Sequence, residues 1–381
     1  MAGTTDAKIK ASTLRADHVG SLIRNDALKA LRARVMPVAD AVLIRSKKPA
    51  ELIAAEDAAV RDAVARQEAA GLQVVTDGEL RRGSYYADFL RSIDGIAVSR
   101  DNSRVTFSDG AKTGTIGAHA KIRLPQGGVT VEDFKFLKSQ TTVTAKMTVP
   151  SPLHGQYLED LHPRGPAYAH RDEFWADFTR AFRDEIALLA KAGCNYVQFD
   201  DTTFVRLCDP KHIQMLKDDG DTPAAALKRW VAIMNDCMRE RPAGMTFGVH
   251  FCRGNGGGGA WVSQGGYGPI AEIVFAGLDA DRLLLEYDSE RAGSFDPLRH
   301  VGPGKIAVLG LVTTKNANLE PADLLKQRIE EASKFLPLEQ LALSPQCGFA
   351  SGVAGGQMGF DMEDKKLRRV VDVARDVWGA A

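Results

Sequence analysis

One motif recurs along this chain and restricts its fold more than any other feature. An amphipathic helix is stopped by a glycine, a short apolar strand follows, and acidic or sulfur-bearing side chains come next. Residues 51–70 read as such a helix with Gly71 at its C-terminal cap, and the run 72–76 then delivers Asp77, Gly78 and Glu79. Residues 171–192 repeat the unit, with Phe174, Phe178, Ala181, Phe182, Ile186 and Leu189 on one helical face. Gly193 ends that helix, and residues 194–199 lead to Asp200 and Asp201. Residues 271–277 introduce a strand ending at Glu286, and residues 324–335 introduce one leading to Cys347.

Strands that alternate with helices pair in parallel through right-handed crossovers. The alternation predicts about eight strands, near residues 17–21, 72–76, 142–148, 195–200, 245–250, 282–286, 306–311 and 340–344. With polar residues at their C-terminal ends, these predict an α/β fold of the (β/α)8 TIM-barrel type, whose site forms at that rim. The rival is an open doubly wound sheet, which calls for a glycine-rich phosphate turn after its first strand. The sequence has none there. Residues 96–142 break the rhythm and read as a β-hairpin excursion between the second and third strands, with turn signals at Asp109-Gly110 and Gly127-Gly128. Residues 1–14 read as a loose tail and 15–381 as one catalytic barrel domain.

Lys plus Arg equals Asp plus Glu at 49 each, so no basic excess points to nucleic acid or an anionic membrane. No run approaches membrane-spanning length and the start lacks an apolar signal core, which predicts a cytoplasmic protein. The five cysteines are widely separated and do not form a disulfide framework. Cys194 and Cys237 read as core thiols, while Cys208 stays open between packing and chemistry.

His250 and Cys252 occupy alternate positions at a predicted strand end, so an imidazole and a thiolate point to the same side. Zinc suits such a mixed nitrogen and sulfur site. Glu286 and Cys347 end similar apolar runs, completing a His-Cys-Glu-Cys set without the close cysteine pairs of structural zinc sites. Zinc so ligated is electron-rich: a poor activator of water but a good holder of a further thiolate, which predicts group transfer to sulfur. The glycine-rich stretch 254–268 reads either as an exposed connector or as a lid.

Asp201 and Asp77 suit local capping, leaving Asp200 and Glu79 to face the barrel mouth and receive a substrate ammonium. A tight turn at Gly20, within the segment Asp17 to Ser21, offers backbone N–H groups to a carboxylate. His18 reads equally as structural or catalytic, and the remaining histidines have no useful spacing.

In order along the chain, Val19-Gly-Ser21, Asp77-Gly-Glu79, Gln198-Phe-Asp200, His250-Phe-Cys252, Glu286 and Ser344-Pro-Gln-Cys-Gly348 resemble the catalytic C-terminal domain of cobalamin-independent methionine synthases. The resemblance covers roughly residues 15–378 and extends to the epoxyalkane:coenzyme M transferases. It implies a zinc ion on His250, Cys252, Glu286 and Cys347, and a homocysteine-type thiol held by Val19, Ser21, Glu79 and Asp200, with Glu79 and Asp200 as catalytic positions. The implied reaction moves the methyl of a polyglutamylated 5-methyltetrahydrofolate to homocysteine, giving methionine. Two departures stand out: there is no room for the N-terminal second barrel, and Leu311-Val-Thr-Thr-Lys315 lacks the histidine presumed to donate a proton. The alternatives are another donor, such as an epoxide or a methyl-corrinoid, and a non-enzymatic zinc-stabilised scaffold. A homo-oligomer is compatible with the sequence.

Overall fold

The β-strands pair in chain order, each hydrogen-bonded to the next one round a curled parallel sheet. The structure is a computed structural model describing residues 13–37, 41–99, 115–155, 167–254, 260–350, 352 and 358–381. The parallel strands are β1 (Val74–Val75), β4 (Thr144–Pro150), β5 (Tyr196–Asp201), β6 (Thr246–Phe251), β7 (Arg282–Glu286), β8 (Ile306–Val312) and β9 (Leu341–Pro345), adjacent in that order. The segment from Arg15 to Leu22 fills the remaining stave. Ala16 bridges Leu343 in parallel, Asp17 N donates to Leu343 O, and Leu22 N donates to Gly78 O. The fold is thus the expected TIM barrel, with one correction: the first predicted strand is a single bridge rather than a ladder.

The antiparallel pair β2 (Asp94–Ser99) and β3 (Thr115–Arg123) lies between the second and third staves, as the broken rhythm predicts. Asp109-Gly110 lies outside the described residues. Gly127-Gly128 leads instead into a helix at Val131–Ser139, so the excursion ends earlier than predicted. Residues 1–12 of the predicted tail, and 255–259 of the glycine-rich stretch, also lie outside the described residues.

Strand periodicity sorts the core into two parts. Val197, Phe199, Phe247, Val249, Leu283, Leu285, Ala307, Leu309, Leu341 and Leu343 pack outward in the main cluster with the helices. Alternate residues face inward, where Val19, Leu284, Ile306, Val308 and Ala342 form a smaller cluster. The helices Ala50–Ala69 and Arg171–Lys191 match the predicted amphipathic segments. Gly193, at φ +87°, takes the left-handed conformation that ends the second of these helices. Cys194, Cys208 and Cys237 are buried, and burial pushes all three thiols up, Cys194 and Cys208 to about 12, consistent with packing roles. Among the described residues no helix is long and apolar enough to cross a membrane.

A buried polar layer lies among the inward-facing residues. Asp17 accepts from Lys146 Nζ at 2.7 Å, Tyr196 OH at 2.8 Å and Arg282 Nε at 3.1 Å. These cations hold the carboxyl of Asp17 below its ordinary range despite burial. His18 is buried beside them, with Nε2 3.3 Å from Val74 O. Burial first, and the Lys146 charge second, lower its pKa to about 3. A depressed histidine contributes stability that is complete above pH 6.5 and is lost as pH falls towards 3. At pH 5 that loss is about 2 kcal/mol. Denaturant titration at pH 7.5 and 5 should therefore show a smaller acid loss in His18→Asn than in the native protein. Equal losses would contradict a buried neutral imidazole.

Candidate active site

The four ligand-type residues and Asp200 come to the C-terminal ends of their strands. His250 is the penultimate residue of β6, and Asp200 is its register partner on β5. Cys252 lies just past the strand, its N–H donating to Asp201 O at 2.7 Å. That extended continuation keeps the His-x-Cys side chains on one side. Glu286 is the last residue of β7, and Cys347 follows β9 by two residues.

The ligand-type atoms of His250, Cys252, Glu286 and Cys347 lie within 4.8 Å of one another. The two sulfurs are 3.6 Å apart, and both cysteines are unbridged thiols. Two sulfurs held tetrahedrally at about 2.3 Å from one zinc would stand about 3.8 Å apart, so the spacing suits a shared ion. Neither ring nitrogen of buried His250 has a hydrogen-bond partner among the described residues. A buried unpaired group costs on the order of 1–3 kcal/mol, a cost that a metal bond removes. The donor set of one nitrogen, two sulfurs and one oxygen matches zinc best.

Electrostatics within the quartet are tightly linked. The contact between the Cys252 and Cys347 sulfurs, with the His250 charge, pulls Cys347 well below the usual thiol range. The same contact, together with burial, pushes Cys252 up. For His250, burial works against the charged form, but the Cys347 thiolate, Asp200 and Glu286 raise its pKa to about 9. Glu286 is raised by burial and by Cys347. One of its oxygens accepts from Arg253 N at 2.9 Å, and the other lies 3.4 Å from Arg291 Nη2. The backbone N–H of Glu286 is held by Tyr267 OH at 2.9 Å. These bonds orient the carboxylate before any ligand arrives.

Glu79 and Asp200 are buried beside the quartet. Glu79 is the only described non-glycine residue with positive φ, at 53°. Such a conformation costs roughly 1–3 kcal/mol and persists where surrounding bonds impose it. Asp77 Oδ1 accepts from the Glu79 N–H at 2.9 Å, Arg24 Nη2 donates to the Glu79 carbonyl at 2.6 Å, and Thr148 Oγ1 donates to Oε1 at 2.8 Å. Burial and then the Glu79 charge raise the pKa of Asp200 to about 7. Asp201 turns away to cap, accepting from Thr203 N at 2.9 Å and Phe204 N at 2.8 Å. Asp201 and Asp77 thus both spend an oxygen on local backbone N–H groups.

The turn at Val19 to Ser21 spends its carbonyls inside the protein. Val19 O accepts from Gln198 Nε2, Gly20 O from Thr76 Oγ1, and Ser21 O from Phe349 N. A β-carbon on Gly348 would fall 1.8 Å from Ser21 Oγ and 3.0 Å from Ser21 Cβ, so a larger residue would force the serine side chain, and with it this close approach of the Cys347 loop, to shift. Arg24 ties the same loops together, donating to Ala350 O and Gly352 O as well as to Glu79 O and Arg82 O.

Sequence reasoning passed over Lys146 and Thr148, and named Gln198 only as part of the Gln198-Phe-Asp200 motif. Their signal was present as polar residues at alternate positions in buried strands, where apolar residues are the rule. His18 takes the structural role. Thr314 donates to Gln346 Oε1 at 2.8 Å and Lys315 pairs with Asp288 at 2.8 Å, so neither supplies an imidazole.

Comparisons with known proteins bear on the family and the fold. The family described as "Cobalamin-independent synthase, Catalytic domain" matches residues 40–219, which include Glu79 and Asp200 but precede the quartet. A Bacillus subtilis protein of uncharacterized function, YxjG, is 37% identical over 97% of this chain and 96% of its own. A Listeria monocytogenes structure, provisionally described as a vitamin-B12-independent methionine synthase, shares 31% identity over 96% of this chain and 98% of its own, with a TM-score of 0.72. The 5-methyltetrahydropteroyltriglutamate–homocysteine methyltransferase of Aeromonas salmonicida is 25% identical over 76% of this chain but only 35% of its own length. On the full-length identity and the shared fold, this chain is a methyltransferase belonging to the cobalamin-independent methionine synthase family.

Proposed function

We propose that this protein transfers a methyl group from a polyglutamylated 5-methyltetrahydrofolate to the thiol of homocysteine, giving methionine, and that it does so with zinc. The carrying observation is the convergence of four ligand-type atoms within 4.8 Å at the barrel rim. His250, Cys252, Glu286 and Cys347 would hold the ion. When bound, it supplies Lewis acidity that keeps an acceptor thiol deprotonated near neutral pH.

The remaining roles fall to the chain itself. Asp200 and Glu79 receive the acceptor's ammonium, and the N–H side of the Val19 to Ser21 turn receives its carboxylate. Both ends of the amino acid are then fixed and the sulfur is aimed at the incoming methyl carbon. In the overall step a carbon–sulfur bond forms as the methyl's carbon–nitrogen bond breaks; the thiol gives up its proton and the departing folate nitrogen gains one. Residues 15–381 act as one catalytic domain in this reading.

A second reading keeps the acceptor but replaces the donor with a methyl-corrinoid or another methylated compound. It is favoured by Thr313, Thr314 and Lys315 standing where the family is expected to place an imidazole. Assays of zinc-loaded protein with homocysteine and folates carrying one or three glutamates separate the two. Methionine formation with the triglutamate is the expected result. Turnover with methylcobalamin and none with either folate would overturn the folate assignment.

A further inference from the structure

Gln198 sits two residues before Asp200 on β5, facing the barrel interior, and its amide is fully committed. One N–H goes to Asp200 Oδ1 at 2.7 Å and the other to Val19 O at 2.6 Å. Its oxygen accepts from Lys146 Nζ at 2.9 Å. An ammonium only donates, so Lys146 dictates which end of the amide faces it. The remaining Lys146 protons are also spent, on Asp17 Oδ1 at 2.7 Å and on His18 O. Asp17 is anchored in turn by Tyr196 and Arg282. A continuous chain of hydrogen bonds therefore climbs from the buried polar layer to the rim and ends on both halves of the acceptor site.

We propose that Gln198, oriented by Lys146, is a positioning residue that sets the Asp200 carboxylate against the Val19 to Ser21 turn, and thereby selects thiols bearing an α-amino group. This rests on the reading that Asp200 receives the ammonium. A single planar amide bonded to both partners fixes their separation, as a pair of independent side chains does not. Replacing it with methionine leaves Asp200 Oδ1 and Val19 O without their donor and frees the carboxylate to rotate away.

The test is calorimetric binding to the full-length, zinc-loaded protein, which requires no donor. The probes are homocysteine and 4-mercaptobutyrate, the same chain without the amino group. The native protein should prefer homocysteine by at least about tenfold, and Gln198→Met should weaken homocysteine about 30-fold while changing 4-mercaptobutyrate less than about threefold. Zinc content should stay at the native value. Should that variant not fold, Gln198→Asn carries the same expectation, since the shorter amide does not span both partners. Equal weakening of the two thiols, or of neither, would overturn the role of Gln198 while leaving Asp200 as the ammonium site. A native protein indifferent to the amino group would overturn both.

Discussion

Replacing Cys347 with serine should abolish tight zinc binding and methyl transfer together while leaving the barrel folded. The side chain is 3% exposed and lies 3.6 Å from the Cys252 sulfur. Serine is nearly isosteric, so the packing change is small, but a neutral hydroxyl is a far poorer zinc ligand than a thiolate. Loss of a partner that merely orients a ligand typically weakens metal affinity by about 10- to 100-fold, and loss of a ligand itself should exceed that. Chelator competition measures the affinity, and circular dichroism with thermal melting checks the fold. A Cys347→Ser protein that holds zinc and turns over at the native rate would remove Cys347 from the site.

Asp200→Asn should raise the KM for homocysteine about 100-fold, equivalent to roughly 2.7 kcal/mol, within the range for breaking a buried hydrogen-bonded charge pair. The change removes the charge that would meet an ammonium and keeps the shape. Asp200 lies on β5, is buried, and is not among the four converging ligand groups, so metal content should be unaffected. Steady-state kinetics at saturating donor, with zinc quantified on the same sample, read both quantities. A KM within twofold of native would place the ammonium elsewhere.

The positions of His250, Cys252, Glu286 and Cys347 were legible because strand periodicity and strand ends are local properties. An i, i+2 pair closing an apolar run has little choice of direction. The barrel was legible for the same reason, through Gly71 and Gly193 stopping helices before apolar strands. The first stave was overpredicted because its ties are tertiary. Asp17 is held by Lys146 and Arg282, far away in sequence, and the backbone contributes one bridge at Ala16. The helix at Val131–Ser139 was hidden inside a segment whose glycine pairs resemble hairpin turns. Nothing local announces that Glu79 lies at φ 53°, because three distant or neighbouring side chains impose it. Gln198 was visible only as part of a motif, since its meaning depends on Lys146 reaching across from the adjacent strand.

X-ray absorption at the zinc edge, on protein loaded with one equivalent of metal, tests the convergence of the quartet most directly. Two sulfur and two nitrogen or oxygen neighbours are expected, with one sulfur fewer in any weakly loaded Cys347→Ser sample. A first shell of oxygen and nitrogen alone in the native protein would contradict a shared site on His250, Cys252, Glu286 and Cys347.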